Sequence, residues 1–77
     1  DEIIARVEVQ EGSELVGKNL KEASLSTVTG MVVLAIRHEN KWKYRPRKDE
    51  QLRSGDIIIA KGRRDGECRL YYLSRGT

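Results

Sequence analysis

Apolar and polar residues alternate cleanly over the first nine positions, and from residue 31 the alternation gives way to an unbroken apolar run. In Ile3 to Val9 the apolar side chains stand at 3, 5, 7 and 9, with Arg6 and Glu8 between them. That period of two predicts a half-buried strand. The stretch from Gln10 to Glu14 breaks it. After Gly17, Leu20 and Ala23 fall on one side of a short helix, and Gly30 punctuates the polar stretch that follows Leu25. Met31 to Ile36 is continuously apolar and rich in branched side chains. It predicts a strand covered on both faces, either by its own fold or by another subunit.

Glu39, Asn40 and Lys41 form the expected return turn. In the next strand Trp42 and Tyr44 point one way and Lys41, Lys43 and Arg45 the other, until Pro46 removes a backbone donor. The rings are expected to pack inward while the cations stay wet. Arg53-Ser54-Gly55-Asp56 supplies a turn before Ile57 to Ala60, a second buried strand that Gly62 stops. In Cys68 to Arg75, Leu70 and Leu73 share a helical stripe although Tyr71 and Tyr72 also suit a strand, and the place at the chain's end favours a helix. These elements describe one small α+β domain over residues 1–77. Its sheet is mainly antiparallel with four to five strands, accompanied by one or two short helices.

Composition adds two constraints. A chain of 77 residues with 38% hydrophobic content hides only about 60% of its unfolded surface, so a partner that shares its core would stabilise it. The one cysteine, Cys68, cannot form an intramolecular disulfide, which points to a reducing compartment. No apolar stretch approaches the roughly 20 residues that span a bilayer, so no membrane insertion is expected. The sequence opens at Asp1 without a signal-like segment, which suggests a piece of a longer polypeptide.

Charge is concentrated in one place. Arg37, Lys41, Lys43, Arg45, Arg47 and Lys48 face a single acid, Glu39, between residues 31 and 48. Such a field attracts phosphates, acidic protein or an anionic lipid surface, and it is equally the signature of a solvated strand face. Catalysis finds no support. One His and one Cys, thirty positions apart, make no metal-ligand set, and His38 lies at a strand end with no evident orienting partner. G-x-G-x-x-G does not occur, and Gly12 to Lys18 has the G-x-x-x-x-G-K spacing but is followed by Asn19 where a phosphate loop needs Ser or Thr. No catalytic and no metal residue is assigned.

The order Gly12-Ser13-x-x-x-Gly17, then Gly30 to Trp42 with its Ile36-Arg37 pair, then Leu52-x-x-Gly55-Asp56 before a β-branched run, resembles the TrkA-C domain, also called the C-terminal RCK domain. The likeness spans residues 3 to 62. It implies a cytoplasmic, non-enzymatic regulatory domain of a potassium channel or transporter that pairs as a two-fold homodimer with a ligand cleft between subunits. In several members of that family the ligand is cyclic di-AMP, and no other cofactor is implied. Carried over by position, Val33, Leu34, Ala35 and Ile36 line the apolar wall of the cleft, Arg37 approaches a phosphate, and His38 is a secondary contact. This sequence departs from the family in placing Arg45, rather than Asn or Asp, before Pro46. Two other readings stay open: a dimerisation module with no ligand, and a basic β domain that binds single-stranded nucleic acid by stacking on Trp42 and Tyr44. Nucleic acid is the less favoured partner, because alternation places those rings and the neighbouring lysines on opposite faces.

Overall fold

Three consecutive isoleucines sit at the centre of the sheet. The computed structural model describes residues 1–76, and Ile57, Ile58 and Ile59 open the strand β4 (Ile57–Arg63). β4 lies between β1 (Glu2–Glu8) and β2 (Val32–His38), and β3 (Lys41–Tyr44) closes the far edge, giving the order β1-β4-β2-β3. Every pairing is antiparallel. The expected α+β class and four-stranded antiparallel sheet are what the chain adopts.

Register assigns each side chain to a face. Ala5 pairs with Ala60 and Val7 with Ile58; all four are buried and face the helices. On the same face Val33 stands opposite Ala60, and Ile36 opposite Ile58. Those two β2 residues are three apart while their partners are two apart, because a bulge at Leu34 inserts one extra residue. Before the bulge, odd-numbered residues of β2 face the helices; after it, even-numbered ones do. Arg37 is thereby turned to the helix-free face, opposite Ile57.

The helix expected after Gly17 comes as two short pieces, α1 (Leu20–Ala23) and α2 (Leu25–Thr29). Asn19 caps α1 by accepting from the Glu22 backbone N–H at 2.8 Å, while the Glu22 carboxylate accepts from the Asn19 N–H at 2.9 Å. Ser24, left-handed at φ 48°, separates the two pieces, and Gly30 at φ 74° ends the second. The terminal helix, α3 (Arg64–Ser74), begins directly after β4. It buries Leu70 against a core that includes Leu15, Leu25, Met31, Ile36, Leu52 and Ile58. Close approach here requires glycine: a Cβ at Gly66 would overlap the Thr29 carbonyl oxygen. None of the helices among the described residues is long and apolar enough to cross a membrane.

Candidate functional site

Register places the six candidate residues of β2 in different surroundings. Val33 and Ile36 face the helices, and Ile36 is fully buried in the core. Ala35 is buried although it faces the other way. Leu34, in the bulge, is partly exposed. Arg37 and His38 are half-buried and leave β2 from opposite faces. The residues therefore do not form one continuous wall within a single chain. Val33 alone among them reaches a cleft of about 340 Å³ between α1, α2 and the 46–48 segment, where Leu20, Leu25 and Pro46 are apolar and Lys21 and Lys48 supply cations.

Arg37 occupies the helix-free face. Cross-strand pairing sets it opposite Trp42, and its Cζ lies 5.7 Å from the Trp42 ring centroid, within cation–π range. Its Nε is buried with no acceptor within hydrogen-bond reach. A guanidinium only donates, and a buried donor without an acceptor costs roughly 1–3 kcal/mol, more when charged. An anion that reaches the guanidinium would gain a charge-assisted bond.

The aromatic residues contradict the expectation from the sequence. Trp42 and Tyr44 do not pack inward; they are 37% and 74% exposed on the helix-free face. The alternation separates rings from lysines as predicted, but β3 is an edge strand whose four residues are all exposed. Lys43, on the other face, pairs with Glu50 at 3.1 Å. The two rings lie nearly parallel, 18° apart with centroids separated by 6.3 Å.

His38 also differs from the solvent-facing strand-end residue expected. Its Nδ1 lies 2.7 Å from Oδ1 of Asp56, which is only 1% exposed, and its Nε2 lies 3.0 Å from Arg53 Nη1. Since Arg53 can only donate, Nε2 accepts and Nδ1 carries the proton given to Asp56. The second oxygen of Asp56 accepts from the Arg53 backbone N–H at 2.9 Å. His38 therefore ties the end of β2 to the turn before β4. The sequence signal for this was the Gly55-Asp56 pair, read only as a turn. Among the described residues no cluster of potential ligands could hold a metal ion, and Cys68 is exposed and free.

Comparison with known proteins agrees with the fold and extends the matched region into α3. The family model of the TrkA-C domain matches residues 4–71. A Methanocaldococcus jannaschii protein named "Probable potassium channel protein 2" is 37% identical over 54 residues, which cover 70% of this chain and 16% of that protein. The chain thus spans about a sixth of that relative's length. The C-terminal RCK domain dimer of Streptococcus agalactiae BusR, solved in complex with cyclic di-AMP, superposes with a TM-score of 0.84 at 31% identity. The match covers 94% of this chain and 97% of that one. BusR has also been solved with its busAB-promotor DNA, and there the match covers 36% of the BusR chain. The corresponding domain of the potassium transport protein KtrA, also with cyclic di-AMP, gives a TM-score of 0.82 at 20% identity over 92% of this chain and 81% of that one, a likeness of fold. The chain belongs to the TrkA-C domain family, whose members are regulatory domains rather than enzymes.

Proposed function

We propose that this chain is the cytoplasmic regulatory domain of a potassium channel or transporter, that it pairs as a two-fold homodimer, and that it binds a small anionic ligand, cyclic di-AMP first, where the two copies meet. The observation that carries this reading is the buried, acceptor-free Nε of Arg37 on the open sheet face. The similarity to the BusR domain dimer supports the ligand class, and the similarity to the archaeal channel protein supports the transport context. In this reading Leu34, in the bulge, and Arg37 meet the ligand directly. Ala35 and Ile36 act from beneath as the packed floor of the strand, Val33 borders the helix-side cleft, and His38 holds the strand end. Signalling follows from linkage: the ligand shifts the relation between copies only by its differential affinity for the two arrangements.

Calorimetric titration with cyclic di-AMP, with linear di-AMP and ATP as controls and the oligomeric state measured alongside, tests this. Saturable heat at one ligand per dimer supports it. Silence from a well-folded dimer leaves an assembly module and rejects the cyclic di-AMP reading. Arg37→Ala is expected to weaken binding by about tenfold or more, as for loss of a hydrogen bond to a charged group.

A further inference from the structure

We propose that the open sheet face recognises the ligand's planar base by stacking on Trp42 and Tyr44, while the phosphate attached to that base sits at Arg37. This rests on the ligand reading above and names the surface that reads the ring. An aliphatic wall on β2 is poorly placed for that task, since Ala35 and Ile36 are buried and Val33 and Ile36 face the helices. The accessible flat surface of that region belongs instead to β3. Tyr44 leaves about three quarters of its surface in water on a strand with no covering element, a loss of apolar burial that a stacked ring would recover. Its cross-strand neighbour is the small Ala35, so nothing bulky rises opposite it on β2, and the ring beside it is Trp42. Trp42 already has the Arg37 guanidinium at its ring, which puts stacking surface and phosphate donor within one nucleotide's reach.

The same face argues for a short ligand over a polynucleotide. The lysines that alternate with the rings point to the other side, where Lys43 is engaged by Glu50. Further across the sheet, β1 brings Glu2 and Glu8 to the open face together with Arg6, and Lys61 of β4 is engaged by Glu2. A long polyanion tracking over the sheet would meet Glu8 and would find Lys61 already engaged by Glu2. A mononucleotide or cyclic dinucleotide held at the β2–β3 corner would not.

Trp42 is the only tryptophan in the chain, so its emission reports this surface alone. The dimer at fixed concentration is titrated with cyclic di-AMP, AMP and inorganic phosphate, following heat and Trp42 fluorescence together. Quenching that saturates with the heat for the base-bearing ligands, and is absent with phosphate, is the expected result. Tyr44→Ala and Trp42→Leu should each weaken cyclic di-AMP binding by about fivefold or more, the low end of a lost base–aromatic stack. Saturable heat with unchanged emission and undiminished affinity in Tyr44→Ala would overturn the ring seat while leaving the ligand reading intact. Neither heat nor quenching from a folded dimer would sink both. Quenching confined to single-stranded oligonucleotides, with steep salt dependence, would overturn the proposal in favour of nucleic-acid binding.

Discussion

The two faces of this sheet are made by the same four strands but from different side chains. On the helix-covered face Ala5, Val7, Ile36, Ile58 and Ala60 are aliphatic and buried, so their contribution is area removed from water. On the open face Arg37, Trp42 and Tyr44 are polarisable or charged and partly wet. They lie around a floor of Ile57, which is buried, and Ile59, which is half-buried. In one chain the first face has all its partners and the second has not. The comparison teaches that the strand richest in apolar residues does not set the character of the open face: β2 lends it Arg37, and the exposed edge strand lends it the rings.

Removing a side chain from each face in turn should separate stability from binding. Ile58→Ala, at the centre of the closed face, is expected to cost about 2–5 kcal/mol, read as a fall in melting temperature of roughly 10 °C or more by calorimetry. Should it cost less than its open-face neighbour Ile59→Ala, the assignment of faces is wrong. Gly66→Ala forces a Cβ toward the Thr29 carbonyl and Met31, and about 1–3 kcal/mol of overpacking outweighs the better helix propensity of alanine. Chemical denaturation measures it, and an unchanged midpoint would show that α2 and α3 adjust freely. Asp56→Asn keeps the shape but leaves one oxygen to serve both the His38 ring and the Arg53 N–H; a loss of about 1–3 kcal/mol is expected. The His38 imidazole nitrogens should show the altered tautomer balance by NMR. Tyr44→Ala is expected to change stability by less than about 0.5 kcal/mol, so a large loss would mean that the open face supports the fold as well.

Where one face is wet, the sequence announced the fold plainly. β1 alternates over its length, and its inward residues were legible at sight. The turn chemistry at Gly30 and Gly55 was equally readable, and both take positive φ. The Asn19-x-x-Glu22 spacing is a capping box that could have fixed the start of α1. By contrast, Met31 to Ile36 carries no polar residue to mark phase, so a bulge that reverses the facing of the strand leaves no trace in its pattern. That reversal is why the six candidate residues parted, and why Arg37 joined the rings. The inward reading of Trp42 and Tyr44 failed for a related reason: periodicity sorts side chains between two faces, but which face the helices cover is set by pairing with β2, and there Trp42 and Tyr44 stand opposite Arg37 and Ala35 on the helix-free side. The partners of His38 lay hidden because Asp56 is 18 residues away and meets it only through the β2–β4 pairing.

The bulge at Leu34 also sets what kinds of genetic change this domain tolerates. Exchanging Leu34 for another side chain alters a partly exposed position and leaves the register as it is. Deleting the Leu34 codon removes the one unpaired residue, so the ladder runs uninterrupted while Ala35, Ile36 and Arg37 keep Ile59, Ile58 and Ile57 opposite them and stay on their own faces. Relatives aligned to this segment are therefore informative in their gaps as much as in their letters, since a chain one residue shorter at the bulge can still present the same two faces.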